Sequence, residues 1–173
     1  FAASSAEGFT SERRASEVAA AAKAWLAGQK DPWFCWIHFW DPHAPYSPPA
    51  PFASSYAQDP YSGESAYVDA ELGRLLADLK ARGKEADTLI ILTADHGEAL
   101  GEHGESTHGY FAYNSTLHVP LIIAGPGIQA SRVKDPVGHA DLFPTVCEIL
   151  NLNLPAGLAG RSLLPALTGK AIP

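Results

Sequence analysis

An α/β layered fold with a mostly parallel sheet is the architecture that this 173-residue sequence predicts. Three observations carry the prediction. The run Thr88-Leu89-Ile90-Ile91-Leu92-Thr93 is short and apolar, as suits a strand buried on both faces. Trp33-Phe34-Cys35-Trp36-Ile37-His38-Phe39-Trp40 reads as a second such strand. Stretches with helical spacing alternate with these runs, the pattern of a sheet covered by helices.

Residues 1–10 are small and polar and are expected to be loose. From about Glu12 to Leu26, Ala15, Val18, Ala19, Ala22, Trp25 and Leu26 recur at helical spacing, and Gly28 ends the pattern. The aromatic strand follows, then Asp41-Pro42-His43-Ala44-Pro45-Tyr46 and a Pro- and Ser-rich loop to about Pro60, where proline forbids a regular ladder. A helix from about Glu64 to Arg82 carries the stripe Val68, Leu72, Leu75, Leu76 and Leu79 and stops at Gly83. After the Thr88–Thr93 strand comes a Gly- and His-rich loop through Gly109. A third strand spans Val119 to Ala124, closed by the turn Gly125-Pro126-Gly127. A short strand near Val137 precedes a helix from Asp141 to Leu150, with Asp141 as N-cap and Pro144 in its first turn. One brief helix around Ser162–Leu167 follows. There are no internal repeats, and the Pro-rich stretch is too short to be a linker between domains.

Composition narrows the function. With 12 basic and 19 acidic residues the net charge is −7, which argues against nonspecific binding to nucleic acid or an anionic membrane. The longest near-continuous apolar stretch, Trp33 to Trp40, is far too short to span a bilayer. No signal peptide is visible and there is no methionine, so the chain is expected to be an internal piece of a longer protein, with any targeting signal elsewhere. Cys35 and Cys147 have no metal-type spacing and read as buried free thiols.

The chemistry is expected where strands end. Open α/β sheets bind ligands just beyond the carboxyl ends of their strands. Asp95-His96-Gly97 stands at such an end, and a carboxylate beside an imidazole is a reasonable pair of ligands for a divalent cation. The simpler reading has Asp95 capping a turn and His96 making one buried hydrogen bond. Against it, five of the seven histidines lie at or beyond strand ends, including His43, His96, His103 and His108. Core histidines would be scattered; clustering favours a site.

Several blocks together resemble the sulfatase family, within the alkaline phosphatase superfamily. They are Thr93-Ala94-Asp95-His96-Gly97-Glu98, Leu100-Gly101-Glu102-His103-Gly104, His108-Gly109 with Val119-Pro120-Leu121, and Asp141-Leu142-Phe143-Pro144-Thr145. Upstream, His38 with Asp41-Pro42-His43-Ala44-Pro45-Tyr46 resembles the family's aromatic strand and histidine loop; downstream, Gly157-Leu158-Ala159-Gly160-Arg161-Ser162-Leu163 resembles its G-x-x-G-x-S-L segment. The resemblance runs from about Glu12 to Gly169. It implies an alkaline-phosphatase-like fold, present here as a partial catalytic domain that lacks the upstream nucleophile-bearing part and a C-terminal small sheet.

The resemblance also implies roles. Asp95 and His96 match metal ligands. Well-known members carry Asp-Asn there and bind calcium, so calcium stands first, with manganese or zinc as alternatives because imidazole departs from all-oxygen ligation. His43 matches a histidine that contacts the sulfate and assists the leaving oxygen. His108 stands where many relatives place a lysine that binds the same group. Glu98 is expected to orient His96, Glu102 and His103 to organise the loop, and His38 to satisfy a hydrogen bond in or near its strand. His118 and His139 carry no expectation. Asn114-Ser115-Thr116 fits a glycosylation acceptor, a triplet frequent by chance.

The family's nucleophile is a formylglycine made in a C/S-x-P-x-R block. Neither cysteine begins one, and Ser47-Pro48-Pro49-Ala50-Pro51 lacks the arginine. The implied activity of the complete protein is hydrolysis of a sulfate ester, on a sulfated small molecule or glycan, with the formylglycine supplied from upstream. The alternatives are a phosphodiesterase, phosphonate monoester hydrolase or phosphotransferase of the same superfamily, or a non-catalytic binding module. A periplasmic, secreted or lysosome-like compartment follows from the resemblance alone.

Overall fold

The computed structural model describes residues 12–172, so the loose segment expected over residues 1–10 lies outside it. The chain divides into two compact units, the first ending at Glu85 and the second beginning at Ala86.

The first unit is helical. Helix α1 (Ala15–Ala27) packs on α3 (Pro60–Ala81), as does the single turn α2 (Phe52–Ser55) within the Pro-rich loop. Ala15, Ala19 and Ala22 are the buried residues of α1, one face spaced four and three apart. The donors at the start of α1 are satisfied by side chains, two of them from distant parts of the chain. Ala15 N–H donates to Asp41 Oδ2 at 2.7 Å, Ser16 N–H donates to the Tyr67 hydroxyl at 2.8 Å, and the Arg14 N–H donates to Glu17 Oε2 at 3.0 Å. Helix α3 starts with Pro60 after Asp59, whose Oδ1 accepts from Ser62 N–H at 3.1 Å. Its buried residues are Gly63, Glu64, Tyr67, Glu71, Leu75 and Leu79, so only Leu75 and Leu79 of the expected stripe are fully buried. The pivot is Tyr67, which carries the hydroxyl that receives α1.

The aromatic run 33–40 has no regular secondary structure, yet its exposure alternates residue by residue as a strand's does. No ladder forms on it among the described residues, because pairing needs a neighbouring strand and none is offered. Phe34 and Trp36 are each 79% exposed, and His38 lies on the same exposed face. Cys35 is half-buried and Cys147 buried, both free.

The second unit holds β1 (Ile90–Thr93) and β2 (Leu121–Ala124), the two strands among the described residues. They pair antiparallel, with Ile90 opposite Ala124 and Thr93 opposite Leu121. The expected mostly parallel sheet is therefore not what these residues form. A parallel pair is joined by a crossover connection that usually carries an α-helix packed on the sheet. Between β1 and β2 there are only a 3-10 turn (Glu102–Gly104) and the single-turn α4 (Asn114–Leu117), so the chain doubles back. The strand expected near Val137 is also missing; residues 129–134 and 136–138 have no regular structure.

Helix α5 (Leu142–Ile149) follows a 3-10 turn (His139–Asp141), and α6 (Leu164–Leu167) packs on it. Asp141 is not the simple N-cap expected. Its Oδ2 accepts from Gly138 N–H at 2.8 Å and its Oδ1 from Arg161 N–H at 2.9 Å, tying the 157–163 segment to α5. Fully buried Thr145 adds a second tie, its hydroxyl oxygen accepting from Leu163 N–H at 2.8 Å. A Cβ on Gly160 would lie 1.9 Å from the Ala140 carbonyl oxygen, so only glycine fits there. The Arg161 N–H, then the Gly138 N–H and the Arg161 charge, hold the Asp141 carboxyl below the usual carboxylate range. A depressed folded pKa gives stability that is complete above the unfolded value and is lost as pH falls through the folded one. Asp141→Asn keeps an acceptor for only one of the two amides and, with solvent screening the charge, is expected to cost about 1 kcal/mol at neutral pH. It should also flatten the acid limb of the stability curve below about pH 4, as denaturant titrations at several pH values would reveal.

Candidate functional site

The strand-end loop of the second unit brings three of the four predicted residues together. Asp95 follows β1 by two residues, and its Oδ1 accepts the His96 backbone N–H at 3.0 Å. His96 Nδ1 lies 2.8 Å from the Gly97 carbonyl, which can only accept, so Nδ1 carries the proton. That tautomer points the Nε2 lone pair the other way, and Nε2 lies 3.7 Å from Asp95 Oδ2. Both side chains are open to solvent, 71% exposed for Asp95 and 43% for His96.

Gly97 anchors the pair. Its N–H donates to the Thr116 carbonyl at 2.8 Å, and a Cβ on it would meet the Ser115 carbonyl oxygen at 2.1 Å. The strand end thus lies directly against the backbone of α4. Thr116 is buried, and its hydroxyl donates to the Tyr113 carbonyl at 3.0 Å.

His108 stacks on His96, ring centroids 3.9 Å apart and planes inclined by 31°. Its Nδ1 lies 3.3 Å from Glu98 Oε2, and the Glu98 side chain is 8% exposed. Glu98 was expected to orient His96; its carboxylate is on His108 instead, because the backbone carbonyl of Gly97 already occupies His96 Nδ1. Glu105, which no local sequence pattern marks, closes the segment carrying His108. The Glu105 Oε1 accepts from Phe111 N–H at 3.0 Å and its carbonyl from Gly101 N–H at 2.7 Å. His103 stacks on Tyr113 at 4.1 Å, in keeping with a role in organising the loop. His139, for which nothing was expected, donates from Nε2 to the Ala94 carbonyl at 2.8 Å, next to Asp95.

The fourth residue, His43, belongs to the first unit. Its Nδ1 donates to the Ala44 carbonyl at 2.7 Å and its ring stacks on Trp40 at 4.3 Å. The backbone on both sides is held by Glu64, which accepts from His43 N–H and Ser47 N–H at 3.0 and 2.7 Å. Glu64 was also missed. The signal that would have found it is its place on the helix face continued by Tyr67, Glu71, Leu75 and Leu79.

Asp95 and His96 fit a divalent cation as two of its ligands. A carboxylate oxygen and an imidazole Nε2 would be suitable donors, the two atoms lie 3.7 Å apart, and the other ring nitrogen is committed to a carbonyl. The pair does not complete a site. Among the described residues no group of three or more His, Cys, Asp or Glu side chains is arranged to hold a metal.

The sulfatase family model matches residues 7–152. The chain belongs to the sulfatase family. Among curated sulfatases, arylsulfatase K of Bos taurus is 40% identical over 107 residues, 61% of this chain and 20% of its own length. The chain thus spans about a fifth of the length of that relative. Among solved structures, the phosphonate monoester hydrolase of Silicibacter pomeroyi superposes with a TM-score of 0.79 at 27% identity, covering 92% of this chain and 43% of that one. A putative sulfatase of Bacteroides fragilis, 23% identical, shares the fold at a TM-score of 0.80, covering 90% of this chain and 41% of that one. The fold is thus that of sulfatases and their phosphonate-hydrolysing neighbours. The Gly157–Leu163 block lies beyond the family match.

Proposed function

We propose that the protein containing this chain is a sulfuric ester hydrolase, in which Asp95 and His96 hold a divalent cation and His43 and His108 contact the sulfate group. The observation that carries the reading is the Asp95–His96 pair at the end of β1, with His108 stacked on it, in a chain of the sulfatase family. Asp95 and His96 would hold the cation, which would supply Lewis acidity, and calcium is the first candidate, ahead of manganese and zinc. The nucleophile usual in the family, a formylglycine, is supplied by residues outside this chain.

The residues of this chain bind and neutralise. As an imidazolium, His108 would offer Nε2–H to a sulfate oxygen while Nδ1–H rests on Glu98 and the ring lies against the face of His96. His43 assists the leaving oxygen as the ester bond breaks. The loop from Tyr46 to Tyr61, whose end residues meet edge to face at 5.4 Å, shapes the choice of sulfated small molecule or glycan. His108→Ala is expected to lower kcat/KM about 10²-fold, with the main loss in kcat, as steady-state kinetics would reveal.

A second reading, a phosphonate monoester hydrolase, is favoured by the 27% identity to the Silicibacter enzyme over 92% of this chain. Phosphodiester hydrolysis and phosphotransfer fall in the same chemical group. Comparing kcat/KM of the full-length protein on p-nitrophenyl sulfate and p-nitrophenyl phenylphosphonate separates them. The sulfate ester is expected to be the better substrate. The reverse order favours the phosphonate enzyme, and turnover of neither favours a non-catalytic module.

A further inference from the structure

Glu64 places a carboxylate where a charge is costly. Its side chain is 3% exposed, yet both oxygens are committed to the loop that carries His43, Oε2 to the His43 N–H and Oε1 to the Ser47 N–H. Asp41, 7% exposed, lies two residues before His43 and accepts from the first N–H of α1. Arg14 joins the two carboxylates from a half-exposed position. Its Nη1 lies 3.5 Å from Asp41 Oδ1 and 3.6 Å from Glu64 Oε1, and it donates to the Ser47 carbonyl at 2.7 Å.

Three charged groups thus grip the chain before, at and behind His43. Packing of α3 on α1 does not call for this arrangement, since buried ion pairs are often replaceable by apolar residues without loss of stability. What an apolar residue does not provide is two acceptors for two amides of one turn. With backbone N–H, Nδ1 and ring face all engaged, the His43 imidazole has one orientation.

We propose that Glu64, backed by Arg14 and Asp41, is a positioning residue for His43 in the step that expels the alcohol. The inference rests on the role given to His43 above. In that step an oxygen nucleophile from outside this chain bonds to sulfur as the sulfur–oxygen ester bond breaks, the bond's electron pair leaves on the alcohol oxygen, and a proton on His43 Nε2 passes to that oxygen while Nδ1–H stays on the Ala44 carbonyl. Delivery needs heavy atoms ~2.6–3.2 Å apart, and a displacement of about 1 Å costs about 10²-fold. The cost grows with the basicity of the leaving oxygen. An alkyl sulfate feels it fully, whereas p-nitrophenolate leaves with little help.

The test measures kcat for the full-length, metal-loaded protein on an alkyl sulfate and on p-nitrophenyl sulfate. Glu64→Gln keeps an acceptor for one amide and sets an NH2 against the other. It is expected to lose about 10²-fold on the alkyl ester and only severalfold on the aryl ester, with KM nearly unchanged. Arg14→Met is expected to show the same pattern more weakly, and it decides the matter by the same ratio if Glu64→Gln fails to fold. His43→Ala should show the pattern most strongly, and adding Glu64→Gln to it should cost nothing more. Equal losses on both esters, or a further loss in the double variant, would mean that Glu64 serves only the fold. If His43→Ala shows no leaving-group dependence, the role of His43 falls and this inference with it. Dependence in His43→Ala without it in Glu64→Gln or Arg14→Met overturns this inference alone.

Discussion

Asp95→Ala is expected to weaken divalent-metal binding by at least ~10²-fold and to lower kcat/KM by about 10³-fold or more, equivalent to roughly 4 kcal/mol. The carboxylate is 71% exposed, and its one backbone bond within the loop is to the His96 N–H. Little of the fold depends on it, so the melting temperature without metal should scarcely move. Loss of metal and activity without loss of stability separates a ligand from a turn cap. Asp95→Asn keeps an acceptor for the His96 N–H and an oxygen for the cation, and should fall between wild type and alanine. Metal content and affinity, measured by calorimetry beside the kinetics, give both numbers.

Gly97→Ala is expected to destabilise the protein by about 3 kcal/mol or more. The new Cβ would stand 2.1 Å from the Ser115 carbonyl oxygen, 3.1 Å from its carbon and 3.3 Å from Thr116 Cα. All three are backbone atoms, so no side-chain tip can swing away. Either α4 moves or the end of β1 does, and the 2.8 Å bond from Gly97 N–H to Thr116 is strained in both cases. Because Gly97 sits between His96 and Glu98, the protein that still folds should also bind metal less tightly. Gly104→Ala is the control. Its φ of +81° disfavours a side chain, but nothing lies within 4 Å, so the cost should stay near ~1 kcal/mol. Chemical denaturation of the two variants in parallel checks the contrast.

Much of this was legible in the sequence because the signals are local. The alanine spacing of α1, the stop at Gly28, and the boundary between Leu92-Thr93 and Asp95-His96 each follow from residues within a few positions. The direction of β1 against β2 did not, since pairing depends on what the connection can span and which strands are neighbours. The same limit explains the run 33–40, whose pattern announces a strand that has no partner among the described residues. Buried carboxylates were the other blind spot. Glu105 looks like a surface residue until the Phe111 amide it holds is seen, and only its place on the buried face of α3 marks Glu64. His139 reaches Ala94 from 45 residues away, with no local pattern to announce it.

The most direct measurement is an experimental structure of the full-length protein with a divalent cation bound. The account predicts one cation bonded both to an Asp95 carboxylate oxygen and to His96 Nε2, at ~2.0–2.5 Å. A cation bound at other residues, with Asp95 and His96 left in solvent, would contradict it.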